Sequence, residues 1–304
     1  MLAAPASGSG KTVLTLALLR ALGERGVDIR AAKAGPDYID PAFHAAACGA
    51  PSVNLDPWAM APGRLQHLAA GQGGSHLMIE AMMGLFDGAA DGSGSAAELA
   101  AMLGIPVLLA VDAAKQSHSI AALAEGFARH RDDVRVAGIV LNKVGSARHE
   151  HLLRAALEPL GLPVIGAVPR DERLVLAERH LGLVQAQEND RLEAFVDSAA
   201  GLVAECCDLT VLESLFEPAS PVAAEGGVLP PLGQRIAIAR DAAFAFCYRH
   251  MLEDWRAQGA ELSLFSPLGD EAPAGDADAV FLPGGYPELH AGLLAEAGGF
   301  KAGM

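Results

Sequence analysis

Nine residues close to the start of the chain, Ala4-Pro5-Ala6-Ser7-Gly8-Ser9-Gly10-Lys11-Thr12, constrain what it can fold into more than any other stretch. Gly8 and Gly10 can take backbone angles closed to other residues, so successive N–H groups around Ser7 and Ser9 can turn inward to surround an oxyanion. Lys11 supplies a point charge for outer phosphates, and the Thr12 hydroxyl is placed to ligate Mg2+. The apolar run Val13 to Leu22 continues as a helix whose N-terminus adds partial positive charge to the same site. The full pattern G-x-x-x-x-G-K-[ST] asks for glycine at position 5, where this chain has Pro5. The alternative is a Gly/Ser-rich turn that merely precedes a helix, and it requires Gly-Lys-Thr at a helix start by coincidence.

Downstream, strands alternate with helices. Only Leu2-Ala3-Ala4 precedes the loop, short for a central strand of about five residues. Asp28 to Lys33 reads as the second strand and delivers Lys33-Ala34-Gly35-Pro36-Asp37-Tyr38-Ile39-Asp40-Pro41 into a connection stiffened by two prolines. Polar groups just past a strand's carboxyl end are where open α/β sheets bind ligands, so Lys33 is a candidate phosphate contact. Asp37 and Asp40 are candidates for metal or substrate. Either could instead cap a short helix over Ala42 to Ala47, Asp40 being the better placed. A helix of about two turns is expected from Gly63. His76 to Glu80 reads as a buried strand ending in a carboxylate, the position from which an acid orders Mg2+. Gly/Ser/Asp-rich residues 87–95 suggest a mobile loop over the site, with Asp87 either a site residue or a turn residue.

The alternation continues with strand Pro106 to Val111, helix Ser119 to His130 and strand Val134 to Leu141. The last runs into Asn142-Lys143, where an amide could read the edge of a purine ring. Helix Ala147 to Leu160, strand Val164 to Val168 and a helix over Asp190 to Cys207 complete the unit. Such alternation implies a parallel sheet with helices on both faces. Residues 216–233, with four prolines and three glycines, read as a linker between a domain at 1–215 and one at 234–304. The second begins with strand Arg235 to Arg240, then helix Phe244 to Gln258, strand Glu261 to Phe265, and a strand from Asp278 into Gly284-Gly285.

Charge and composition remove several classes of function. A formal charge of −15 over 304 residues argues against nucleic acid or an anionic membrane as the main partner. No run reaches the about 18 apolar residues of a membrane span, and no leader precedes the loop, so a cytoplasmic location is expected. Cys48, Cys206, Cys207 and Cys247 show no metal-ligand spacing and read as small buried residues.

Several stretches together resemble the glutamine-dependent cobyrinic acid and hydrogenobyrinic acid a,c-diamide synthases. They are Ala3 to Thr12, Lys33 to Pro41 with Phe43-His44, Ser52 to Asp56, Met83-Gly84-Leu85-Phe86-Asp87-Gly88, Arg179-His180-Leu181-Gly182-Leu183 and Gly284 to His290, in family order along almost the whole chain. The resemblance makes Pro5 a family trait. It implies a dethiobiotin-synthetase-like P-loop domain fused to a flavodoxin-like class I glutaminase domain. The implied reaction uses ATP to turn a corrinoid side-chain carboxylate into an acyl phosphate, which ammonia from glutamine then displaces.

On that resemblance Ser7, Gly8, Ser9, Gly10, Lys11, Thr12 and Lys33 would hold phosphates, Asn142 the base, and Thr12 and Glu80 the metal. Asp37, Tyr38, Asp40 and Asp87 would line the carboxylate end. Three departures stand out, one being a less regular turn at Val111-Asp112-Ala113-Ala114-Lys115-Gln116. Ala81 replaces a usual glycine, with a methyl that would crowd the phosphates. The chain also ends before the family's glutaminase nucleophile, leaving free ammonia as the expected nitrogen source and the N-terminus open upstream. A second copy of the chain is compatible as a partner. Cobyric acid synthase, or a fragment that binds nucleotide without turnover, are the alternatives. A partition ATPase would carry lysine at position 6, where this chain has Ala6.

Overall fold

The computed structural model describes residues 1–176, 178–179, 182–183, 185–186, 189–218 and 227–304. The chain divides into two compact units, Met1–Gly226 and Gly227–Met304.

In the first unit seven strands form one parallel sheet in the order β3-β2-β4-β1-β5-β6-β7. These are β1 (Leu2–Ala3), β2 (Ile29–Ala34), β3 (Val53–Leu55), β4 (His76–Glu80), β5 (Val107–Asp112), β6 (Val136–Val144) and β7 (Val164–Pro169). The helices are α1 (Lys11–Glu24), α2 (Asp40–Cys48), α3 (Pro62–Ala70), α4 (Ala96–Leu103), α5 (Ile120–Arg129), α6 (Ala147–Leu157), α7 (Leu192–Cys206) and α8 (Leu209–Ser214). Alternation along the strands sends successive side chains to opposite faces, and the core follows it. Leu2, Ala31, Met78, Leu108 and Val140 pack with α1, α2 and α7. On the other face Ala3, Leu109, Val111, Ile139 and Leu141 pack with α4, α5 and α6. Helix α1 is buried nearly all round, from Leu14 to Leu22, because it lies between the sheet and α7.

The first strand is as short as expected. It survives because β4 and β5 flank it and because the Ala81 and Leu85 N–H groups donate to the Leu2 and Ala4 carbonyls. Strand β3 and helices α4 and α8 were not foreseen. Three residues are too few for a periodic signal, and α4 begins directly after the Gly/Ser-rich stretch, whose last residue, Ser95, accepts the Glu98 N–H as its cap. The expected loop at 87–95 is tied down by local bonds: Ser93 to Asp91, and the Gly94 N–H to Glu98. Part of the expected linker, residues 219–226, lies outside the described residues, as do His180 and Leu181. Around them β8 (Glu178–Arg179) pairs antiparallel with β9 (Gly182–Leu183).

The second unit is a three-stranded parallel sheet, β11-β10-β12, of β10 (Arg235–Ala239), β11 (Glu261–Phe265) and β12 (Ala279–Phe281). Its main helix α9 spans Arg249–Ala257, starting five residues later than expected. The Asp241 carboxylate takes the Ala243 and Phe244 N–H groups, and Phe246 bridges to Gly284, so the chain cannot turn helical before Tyr248. Helices α10 (Ala291–Glu296) and α11 (Gly298–Gly303) follow. No helix among the described residues is long and apolar enough to cross a membrane.

Candidate active site

Because every strand of the seven-stranded sheet points the same way, the connections after β1, β2, β3, β4, β5 and β6 emerge at one edge. The nucleotide-type loop follows β1 at the centre of that edge. Gly8 and Gly10 have φ of 76° and 86°, the left-handed region their positions require. A Cβ on Gly10 would sit 2.3 Å from Asn142 Nδ2, so glycine is needed there for room as well as for angle. The loop's own carbonyls are pinned from outside: Ser9 O accepts from Asn142 Nδ2 (2.8 Å) and Gly8 O from Lys143 Nζ (2.9 Å). Pinning those carbonyls outward leaves the N–H groups for an anion. Lys143 adopts φ 57° and is steadied by Asp112 at 2.7 Å.

Asn142 therefore has a task that spacing did not reveal: it braces the loop. Its Oδ1 also accepts the Lys143 N–H at 2.9 Å. A carboxamide has two donor hydrogens and two lone pairs, so one of each remains for a purine edge.

Beneath the loop lies a buried ionic cluster centred on Glu80, which has no exposed surface. Thr12 Oγ1 donates to Glu80 Oε1 at 2.6 Å and Lys33 Nζ donates to the same oxygen at 2.9 Å. His44 Nε2 lies 2.6 Å from Glu80 Oε2; a carboxylate only accepts, so Nε2 carries the hydrogen. Lys33 also pairs with Asp40 Oδ2 at 2.5 Å. Burial alone would raise the Glu80 carboxyl, but the Lys33 charge and the bonds from His44 and Thr12 outweigh it and hold the acid well below its usual range. Burial pulls Lys33 toward neutrality, yet Glu80 and Asp40 outweigh it and keep the ammonium above its ordinary value. Burial and then the Glu80 charge push Asp40 up to about 6, against the pull of Lys33.

The site residues expected from sequence thus divide. Thr12, Lys33, Asp40 and Glu80 come together. Lys33 spends two of its three donors on carboxylates, leaving one for a phosphate. Neither aspartate is the N-cap of α2, a position held by Ile39. Asp37 Oδ1 accepts the Ile39 and Asp40 N–H groups (2.7 and 2.9 Å), while Asp40 faces Lys33. Asp87 accepts the Gly84 N–H at 2.9 Å as a turn residue, and Tyr38 is 39% exposed on its loop. Ala81 does not crowd the phosphate side: its methyl is fully buried in the core beside Ala3 and Leu85. Lys11 Nζ bonds the carbonyls of Ala6 and Met83. Burial lowers its pKa, an effect that Glu80 only partly offsets.

Four further polar residues were missed. His44 stands four residues after Asp40 on α2, hence on the same helix face, and that spacing was the available signal. Ser52, 3.3 Å from His44 Nδ1, and Asn54, which bonds the Gly35 and Asp37 carbonyls, come from the unforeseen β3 region. Lys143 was visible only as half of an Asn-Lys pair. The thiols offer no nucleophile: burial raises Cys48, Cys206 and Cys207, and Cys247 to about 11.

Asp40 carries a pH signature. Its carboxyl binds a proton more readily in the folded than in the unfolded chain, so its contribution to stability is present at low pH and lost as pH rises toward about 6. Compared with Asp40→Asn, wild type should lose ground steadily between about pH 4 and pH 7, then hold a constant difference. Thermal unfolding of both proteins across that range checks this; a difference of the opposite slope would refute the raised Asp40.

The donor set fits Mg2+. Thr12 gives its proton to Glu80, so its lone pairs are left for a hard cation, and Glu80 can order a bound water. Mg2+ keeps waters and takes only one or two protein oxygens, which suits a site with no ready-made cage.

These features, a glycine-rich loop opening α1, an acid ending β4 and a wholly parallel sheet, define a nucleotide-binding P-loop protein. Residues 1–184 match the CobQ/CobB/MinD/ParA nucleotide binding domain family. The hydrogenobyrinate a,c-diamide synthase of Rhizobium meliloti is 61% identical over 308 residues, covering 100% of this chain and 71% of that protein. The enzyme of the same name from a Sinorhizobium species is 59% identical over 310 residues, with the same coverage. Among solved structures, chloroplast FtsY from Physcomitrella patens aligns with a TM-score of 0.41 at 18% identity, covering 66% of this chain and 64% of that one. The chain belongs to the hydrogenobyrinate a,c-diamide synthase family.

Proposed function

We propose that this chain amidates the a and c side-chain carboxylates of hydrogenobyrinate, or of its cobalt-bearing counterpart cobyrinate, with ATP and ammonia. The work belongs to cobalamin biosynthesis. A carboxylate at neutral pH resists ammonia; the phosphoryl group of the nucleotide supplies the leaving group that makes displacement possible. The observation that carries the reading is the seat of Glu80, a fully buried, ionised acid at the end of β4 that accepts the Thr12 hydroxyl at 2.6 Å.

The residues divide the work by position. The N–H groups of Ser7 to Lys11 and the start of α1 hold phosphate oxygens, with Lys11 and the third donor of Lys33 at the terminal group. Thr12 and Glu80 would hold Mg2+, which would supply positive charge to the phosphate oxygens. His44 holds Glu80 by Oε2, which keeps Oε1 turned toward Thr12 and Lys33. Asp40 and Asp37, fixed on either side of the β2–α2 turn, border the side from which a substrate carboxylate enters, with Tyr38 and Asp87 beside them. The remaining donor and acceptor of Asn142 meet the base.

For the second unit, its parallel β11-β10-β12 order and the turn at Gly284-Gly285 support the start of a flavodoxin-like glutaminase domain. A Cβ on Gly285 would lie 2.0 Å from the Ala243 carbonyl, so that turn cannot carry a side chain.

The test supplies ammonia directly. With Mg-ATP, hydrogenobyrinic acid and ammonium chloride, mono- and diamidated products should accumulate by mass spectrometry, matched by ADP release. ATP hydrolysis without amide formation on either corrinoid would defeat the assignment.

A further inference from the structure

Trp58 is 71% exposed, whereas the other tryptophan of the chain, Trp255, is 2% exposed. An indole is large and mostly apolar, so holding one in water is costly unless something covers it. Trp58 is not at a frayed tip. Asp56, itself nearly buried, accepts the Trp58 N–H at 3.0 Å, and the turn at Gly94 packs so closely that a Cβ there would lie 2.6 Å from Trp58 Cβ. The backbone is fixed from two sides while the ring is left outside.

Its place along the sheet edge is informative. Trp58 follows β3, Tyr38 follows β2 and Met83 follows β4, three adjacent strands, and the latter two side chains are 39% and 38% exposed. The loops are joined: Asn54 of β3 bonds the Gly35 and Asp37 carbonyls, and a Cβ on Gly35 would strike Met82. Met83 touches the nucleotide loop, since Lys11 Nζ donates to its carbonyl. Loops carrying Met83, Tyr38 and Trp58 therefore follow one another outward from the strand that opens the Lys11 loop. They cross three strand spacings, about 14 Å in all.

We propose that Trp58, with Tyr38 and Met83, is the face on which the flat conjugated ring of the substrate lies while one of its carboxylate arms reaches the phosphate end at Lys11. Trp58 is then a specificity-determining residue for a conjugated macrocycle. This rests on the amidation reading, which supplies a ring-shaped substrate; the position and exposure of the three residues are independent of it. An aromatic contact of this kind contributes enough for about a tenfold change in affinity.

Steady-state kinetics with ammonium chloride, Mg-ATP and hydrogenobyrinic acid on wild type, Trp58→Ala and Trp58→Phe test it, alongside binding of each protein to hydrogenobyrinic acid by calorimetry. Trp58→Ala should raise KM and Kd for hydrogenobyrinic acid about tenfold. Its kcat, and its KM for ATP, should stay near wild type, and Trp58→Phe should recover most of the loss. Unchanged KM and Kd in Trp58→Ala would overturn the proposal. So would a wild-type dimer that Trp58→Ala dissolves with KM unaltered, which assigns the ring to a contact between copies. Wild type that neither binds nor amidates hydrogenobyrinic acid would instead defeat the amidation reading and take this inference with it.

Discussion

Glu80→Gln is expected to abolish Mg2+-dependent turnover and to lower the melting temperature in the same protein. Glutamine keeps the shape of the side chain and loses its charge. Three groups depend on that charge: the Thr12 hydroxyl and Lys33 at Oε1, and His44 at Oε2. With glutamine, Lys33 keeps its ion pair with Asp40 but loses the one with Glu80, and breaking a buried ionic network by removing one partner costs about 3–5 kcal/mol. At about 2–4 °C per kcal/mol for a unit of this size, the midpoint should fall by roughly 6–20 °C. Turnover should fall by at least about a hundredfold, because the group that orients Thr12 and orders the cation is gone. Calorimetric melting and an ADP-release assay with varied Mg2+ read the two effects. A variant that melts like wild type would contradict the buried cluster; one that retains Mg2+-dependent turnover would contradict the metal role.

Lys11→Ala is expected to have the opposite profile, a severe functional loss with little change in stability. The Lys11 side chain is buried and its ammonium is bonded to the Ala6 and Met83 carbonyls. Burial disfavours its charge, as the lowered pKa records. Removing it relieves that cost and forfeits two hydrogen bonds, terms of about 1 kcal/mol each that largely cancel. Nothing replaces the charge at the phosphates, where a charge-assisted hydrogen bond contributes about 1.5–3 kcal/mol. Nucleotide affinity should therefore fall by roughly ten- to a hundredfold, and turnover further, since charge is concentrated on the transferring group. Isothermal titration with Mg-ATP checks the first; equal affinity in both proteins would remove Lys11 from the site.

The two variants separate what the sequence could and could not disclose. Lys11, Thr12 and Glu80 were legible because each belongs to a local pattern: a glycine-rich turn opening an apolar helix, and a carboxylate closing a buried strand. The strand order was not, yet the alternation of strands and helices was sufficient for a parallel sheet. Asp37 and Asp40 show where local reasoning fails. Asp40 was judged the better placed of the two to cap α2, yet it pairs with Lys33, while Asp37 takes the Ile39 and Asp40 N–H groups. A cap and an ion pair look alike in sequence; the choice depends on Lys33 and Glu80, which β2 and β4 bring opposite each other. His44 was overlooked for the same reason, since its partner lies 36 residues away.

By itself, then, the sequence determined the glycine-rich turn that opens α1, the acid that closes β4 and the alternating build, all set by contacts within a few residues and by periodicity. Tertiary structure decided how charge is shared. Thr12, Lys33, Asp40, His44 and Glu80 come from four separate segments, and only their meeting in a water-poor interior makes Glu80 strongly acidic and Asp40 weakly so. It also converted Asn142 and Lys143 into braces of a loop 133 and 135 residues distant. Coulomb energies and desolvation depend on distance through space and on burial, neither of which spacing along a chain records.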